Sequence, residues 1–172
     1  MNASDILDAI ARKHRDCALI REVQINDREA RDEWHAEWER AHAEAKRTGD
    51  WDTYQARFGQ PIPPTARRID GFLFNGGQSR TAIEVKISRA DYQRENDAKR
   101  RPWIAVTNRF VYATPAGLLR PDEIPDGCGL WEIDDAGRVT IARRARINRD
   151  PDPIPHQVLV ALAYRLNRKA AA

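Results

Sequence analysis

Apolar and polar residues alternate along Ile83-Glu84-Val85-Lys86-Ile87, the period-two signature of a strand with one face in a core. The preceding run Arg68-Ile69-Asp70-Gly71-Phe72-Leu73-Phe74 reads as a second strand, and Asn75-Gly76-Gly77-Gln78-Ser79 as the turn between them. Elsewhere the period lengthens. Ile6, Leu7 and Ile10 sit at helical spacing behind Ser4, predicting a helix capped by Ser4 and running to about Arg15. Ala18 to Ile25 reads as a strand, although Leu19, Glu22 and Gln24 break its alternation. Residues 28–47 read as a densely charged helix with one narrow stripe of Trp34, Trp38, Ala41 and Ala45. With Trp51, Tyr54 and Phe58 this makes 27–64 a charged helical insertion, closed by Pro61, Pro63 and Pro64. The stripe is expected to pack on the domain edge or on a partner.

Ser88 and Asp91 form a capping-box pattern that starts a helix running to about Arg100, limited by Pro102. Phe110 to Ala113 reads as a strand, and Leu130–Ile133 and Arg138–Ala142 as a hairpin around Asp134-Asp135-Ala136-Gly137. Pro155 fits the first turn of a last helix with Val158, Leu159, Leu162 and Leu166 facing inward. The elements predict an α/β fold in a single domain over residues 1–172.

The first two strands also carry chemistry. If Phe74 pairs with Arg80, counting back places Asp70 opposite Glu84, with Cβ atoms about 4.5–5.5 Å apart. Facing carboxylates repel, and a divalent cation removes the objection. Their hard oxygens suit Mg2+ or Mn2+. Lys86 lies one step along the same face, placed for a water or phosphate oxygen at that ion. The same spacing also occurs on solvated strand faces, where none of these residues has a special role.

Charge adds direction. The net charge of +3 is modest. Yet Lys86 to Arg109 holds seven basic residues against three acidic ones, and the chain from Arg138 onward holds eight against two. Basic charge thus follows the hairpin and the C-terminal third, as a phosphate-backbone binder requires, although a solvated Arg-rich surface looks the same. No run of apolar residues is long enough for a membrane span, and no apolar signal core opens the chain. Cys17 and Cys128 are expected as two reduced, buried thiols of a cytoplasmic protein. His14, His35, His42 and His156 have no metal-ligand spacing and are expected at the surface.

Asp70, Glu84 and Lys86 resemble the motif of the PD-(D/E)XK nuclease superfamily, with Ile69 where a proline usually precedes the first acid. The runs Glu84-Val85-Lys86-Ile87-Ser88-Arg89-Ala90-Asp91-Tyr92, Arg109-Phe110-Val111-Tyr112-Ala113-Thr114-Pro115 and Cys128-Gly129-Leu130-Trp131 resemble the MmcB-like DNA-repair family within it, of bacterial or phage type. The resemblance spans roughly residues 66–145. It implies a restriction-endonuclease-like αβββαβ core, a mixed central sheet flanked by helices, with the helical insertion after the first strand. It implies a metal-dependent DNA nuclease or repair protein in which Asp70, Glu84 and the Val85 carbonyl hold Mg2+ or Mn2+ and Lys86 assists hydrolysis. Ser88, Arg89, Gln93 and Arg94 are the expected substrate contacts. A further acid is open among Asp5, Asp8 and Glu22. The alternative is a catalytically silent DNA-binding or protein-interaction module, with a protein partner or a second copy held through 27–64.

Overall fold

A computed structural model describes residues 1–59 and 66–170, with side chains to Arg165. Pro61, Pro63, Pro64 and the Leu166 side chain therefore lie outside the described residues. The chain forms two compact units, residues 26–67 and residues 1–25 with 68–172.

In the larger unit, α1 (Ala3–Lys13) leads into β1 (Cys17–Asn26). The cap of α1 is Asn2 rather than Ser4: Asn2 accepts from the Asp5 amide, and the Asp5 carboxylate accepts from the Asn2 amide. Ser4 lies inside the helix and accepts from Arg21. After the insertion come β2 (Ala66–Asn75), β3 (Arg80–Val85), β4 (Arg109–Pro115), β5 (Gly129–Ile133) and β6 (Val139–Arg143). They form one open sheet in chain order. The pairs β2/β3 and β5/β6 are antiparallel, while β3/β4 and β4/β5 are parallel. The result is an α/β fold with a mixed six-stranded sheet flanked by helices.

Strand alternation sorts the apolar side chains into two layers. Leu73, Ile83, Val85, Val111, Trp131 and Ile133 pack with Ile6, Leu7 and Ile10 of α1 on one face. Phe72, Ala82, Phe110, Tyr112 and Leu130 pack with Trp103, Val106 and Val158 on the other. Gly71 is required by the first layer. A Cβ there would meet Leu7 Cδ2 at 3.0 Å and Leu19 Cδ1 at 3.2 Å.

The broken alternation of β1 has a local cause. Glu22 takes φ +52°, a conformation L residues avoid in regular strands. Arg165 donates to the carbonyls of Arg21 and Glu22 at 2.7 and 2.6 Å, tying the last helix α6 (His156–Ala170) to this kink. Pro155 precedes α6 instead of sitting in its first turn, and its carbonyl accepts from the Val158 amide. Val158 is buried and Leu162 partly so, but Leu159 is exposed.

The predicted helix from Ser88 to Arg100 is two helices, α4 (Arg89–Gln93) and α5 (Asp97–Val106). Ser88 caps the first and Asn96 the second, each accepting from the amide three residues on. Pro102 lies inside α5 and does not end it.

The smaller unit pairs α2 (Arg28–Thr48) with α3 (Trp51–Phe58). Gly49, at φ +78°, terminates α2, and Asp50 caps α3 through the Thr53 amide. The apolar stripe of α2 faces α3: Trp34 meets Phe58 edge-on at 5.8 Å, and His42 meets Trp51 and Tyr54 at 5.6 Å. The stripe thus finds ring partners inside its own unit, where the sequence left the domain edge or a partner. Among the described residues no helix is long and apolar enough to cross a membrane.

Candidate functional site

The hairpin pairs Phe74 with Arg80 and ends at Gly71 opposite Ile83. Beyond that point the two backbones stop pairing, and a side chain replaces the ladder. Asp70 Oδ2 accepts from the Val85 amide at 2.8 Å. The next amide, of Lys86, instead donates to Ala113 of β4. Amides alternate sides along a strand, so the Val85 carbonyl points toward β2, on the same side as Asp70.

Glu84 and Lys86 share the face opposite Ile83 and Val85, and both are almost fully buried, at 2% and 4% side-chain exposure. Lys86 Nζ lies 2.9 Å from Glu84 Oε1 and 2.6 Å from Glu95 Oε2. Lys99 Nζ also reaches Glu84 Oε1 and stands 3.9 Å from Glu95 Oε2. Glu95 is itself 3% exposed. Three carboxylates (Asp70, Glu84, Glu95) and two ammonium groups thus form one cluster at the C-terminal end of β3.

The acids are not all satisfied. Glu84 Oε2 and Glu95 Oε1 are buried without a hydrogen-bond partner. Burial pushes the Glu84 carboxyl up, and the nearby Asp70 charge adds to this, while Lys99 and Lys86 oppose it. For Lys86, burial alone would lower the pKa. Its bonds to Glu95 and Glu84 more than reverse that, so its pKa is raised. Tyr112 packs in the same layer, fully buried, and Arg100 donates to its hydroxyl at 3.0 Å. Burial pushes that phenol far up.

Glu95 and Lys99 were not read from the sequence as site residues. The break between α4 and α5 puts them there. The signal was present in Asn96-Asp97, an N-cap followed by a first-turn acid.

The other expected contacts divide. Ser88 caps α4. Arg89 is committed to the protein, donating to the Leu118 carbonyl at 2.8 Å and pairing with Glu123. Gln93 and Arg94 are exposed, with Arg94 only loosely paired to Asp91 at 3.6 Å. None of the three open acids touches the cluster. Asp5 belongs to the α1 cap, Asp8 pairs with Arg21 at 2.6 Å, and Glu22 lies 3.7 Å from Arg68.

Much of the basic charge holds loops rather than facing solvent. Arg80 donates to the carbonyls of Pro151 and Asp152, and Arg143 to those of Pro121 and Ile124. Cys17 is half-buried, not buried, and Cys128 is buried; both are free thiols. His14 is not a simple surface residue either: it stacks on Trp131 at 5.1 Å, and burial, helped by Lys13, lowers its pKa. His42 is half-buried between rings of α2 and α3.

Among the described residues no three His, Cys, Asp or Glu side chains are grouped as a metal site by themselves. On the Asp70 side the oxygens at hand are the Asp70 and Glu84 carboxylates and the Val85 carbonyl, while Glu95 is held by Lys86.

No family model and no curated protein matches the chain. Among solved structures it is similar to a protein of unknown function from Silicibacter pomeroyi, at 19% identity and a TM-score of 0.59. The match covers 99% of this chain and 90% of the other. At that identity the likeness shows a shared fold.

Proposed function

We propose that the chain is a divalent-metal-dependent DNA phosphodiesterase of the PD-(D/E)XK superfamily, with its site at the end of β3. The carrying observation is Glu84: a 2% exposed carboxylate with one oxygen unbonded, beside Asp70 and two lysines. A buried acid left half-satisfied is costly, and a cation is the ligand such an oxygen lacks. The element order α1-β1-β2-β3-α4/α5-β4 supports the reading, because it follows the αβββαβ core once the insertion is set aside.

The donors fit a hard ion. Mg2+ commonly takes one or two carboxylates and completes its shell with waters and substrate phosphate, so the missing third side-chain acid is no obstacle. Asp70, Glu84 and the Val85 carbonyl would hold it. Such an ion supplies an activated water and neutralises charge on the scissile phosphate. Lys86 stabilises charge on the phosphate or orients the attacking water, an effect commonly worth about 10²–10³ in rate. Glu95 acts through Lys86 as a positioning residue, fixing its ammonium from the other side. Gln93 and Arg94, both exposed, would meet the DNA backbone.

A second reading has its own observation. Both lysines already neutralise Glu84, and Asp70 is engaged by the Val85 amide. A cluster closed on itself suits a module that binds DNA or protein without cutting.

Incubation with single-stranded, double-stranded and branched DNA in Mg2+ or Mn2+ separates the two. The enzyme reading expects cleavage that falls about 10²-fold or more in Lys86→Ala and Asp70→Ala. Equal behaviour of wild type and both variants on every substrate refutes it. Salt-sensitive DNA binding that survives in Asp70→Ala, without cleavage, favours the silent module.

A further inference from the structure

A concavity lies on the opposite face of the sheet, toward the hairpin turn and away from Asp70 and Glu84. It encloses about 400 Å³, within the usual range for small-ligand sites. Leu73, Val111 and Trp131 make its floor, and all three belong to the α1-side core. Ile141 and Ile147 stand at its edge with 46% and 51% exposure.

The polar groups around this floor share one sign. Arg109 and Arg144 line the cleft, and no carboxylate does. Among the described residues the Arg109 guanidinium donates to the Ser79 hydroxyl alone, at 3.2 Å. Arg144 makes no ion pair or hydrogen bond among the described residues. The His14 ring, stacked 5.1 Å from Trp131, lines the cleft with a buried Nε2 that has no partner. Asn75, Ser79 and Thr81 complete the wall.

The cleft is anchored. The Arg146 amide donates to the Gly127 carbonyl and the Asn148 amide to the Asn108 carbonyl, both at 2.9 Å. The segment carrying Arg144 and Ile147 is thereby pinned to the sheet.

We infer that this cleft binds a nucleotide unit, a heteroaromatic ring carrying a phosphate. Two guanidiniums without an acid suit a phosphate and would hold it by charge-assisted bonds. A bare anion has no use for the apolar floor, and a lipid chain has no use for the imidazole and hydroxyl edge. A ring with polar edges uses both. The His14 imidazole, kept neutral by burial and stacked on Trp131, extends the aromatic surface against which such a ring packs. The inference is independent of the metal reading, since the two sites share no residue.

Cys17 provides the readout, because it lines the cleft while Cys128 is 2% exposed. The rate of Cys17 alkylation by N-ethylmaleimide is measured in EDTA, alongside titration calorimetry, in wild type, Arg144→Ala and Ile147→Glu. Both substituted positions are exposed, so neither variant threatens folding. Probes are adenosine 5′-monophosphate, adenosine, inorganic phosphate, and single-stranded DNA with and without a 5′-phosphate. The expected result is that the mononucleotide slows alkylation at millimolar concentration, with inorganic phosphate and adenosine each at least about tenfold weaker. Arg144→Ala weakens binding by about tenfold, and Ile147→Glu weakens it too. Protection by 5′-phosphorylated DNA, but not by its 5′-hydroxyl form, assigns the nucleotide to a strand end; protection by the mononucleotide alone assigns it to a free nucleotide. No protection by any probe, binding unchanged in Arg144→Ala, or phosphate as tight as the mononucleotide would overturn the inference.

Discussion

Lys86→Met removes one ammonium from between two buried carboxylates and keeps nearly the same side-chain volume. Glu84 and Glu95 are 2% and 3% exposed, so water cannot screen them once Lys86 is gone. Breaking a buried pair from one side costs about 3–5 kcal/mol. Lys99 still reaches Glu84 and lies 3.9 Å from Glu95, which places the expected loss near the lower end, about 3 kcal/mol. For a chain of this length that lowers Tm by roughly 6–12 °C. The loss depends on pH with a definite sign. Without Lys86 the Glu84 carboxyl, already raised by burial, is raised further above its unfolded value, so the folded state binds more protons in between. The penalty is therefore complete at pH above that raised value, and it disappears as pH falls toward the unfolded carboxylate range near 4.5. Urea unfolding of wild type and Lys86→Met from pH 5 to 8 measures it. The double variant Lys86→Met with Glu95→Gln should recover much of the loss, since the one buried carboxylate left, Glu84, keeps Lys99. A loss under about 1 kcal/mol, or one constant across the pH range, would refute the picture of a mutually neutralising cluster.

His14 carries a lowered pKa, so the unfolded chain takes up a proton before the folded one does. Its contribution is whole above pH 6.5 and is lost as pH falls below it; His14→Gln should flatten the wild-type decline in urea midpoint between pH 7 and 5, and an unchanged decline would contradict the assignment. Gly129→Ala should destabilise by about 2–4 kcal/mol, because the added Cβ would stand 2.9 Å from the Ala145 nitrogen and 3.1 Å from the Arg143 carbonyl; thermal melting without a shift would show that β5 and the following segment yield. Asn96→Ala removes the α5 cap and should cost about 1 kcal/mol in the same melting assay.

The sequence made the hairpin legible because its information is local. Alternation in Ile83-Glu84-Val85 and the Gly76-Gly77 turn together specify a register, and that register forms from Phe74/Arg80 to Gly71/Ile83; it stops one pair short of the expected Asp70/Glu84 pair, where the Asp70 side chain takes the Val85 amide instead. Three features escaped for physical reasons. Arginines bonded to main-chain carbonyls look identical, in sequence, to arginines awaiting phosphate; Arg80, Arg89 and Arg143 are of the first kind. The irregular pattern of β1 reflects the left-handed backbone at Glu22, which no side-chain period encodes. The Ser88–Arg100 helix reads as continuous because helix propensity runs through it, whereas the break depends on the Asn96 cap competing with that propensity.

That break bears on how the two lysines differ. Lys86 is 4% exposed and clasped by Glu84 and Glu95, so withdrawing its ammonium would strand both acids. Lys99, on α5, is 36% exposed and can swing its head into water, where an ammonium loses nothing. Only Lys99 can therefore vacate Glu84 at small cost. On the proposed reading, a cation entering beside Asp70 would displace Lys99 and leave Lys86 in place, because the incoming charge substitutes for the one that leaves. The same asymmetry explains how a carboxylate as deeply buried as Glu84 is tolerated: the exposed lysine neutralises it, and Glu95 holds the buried one.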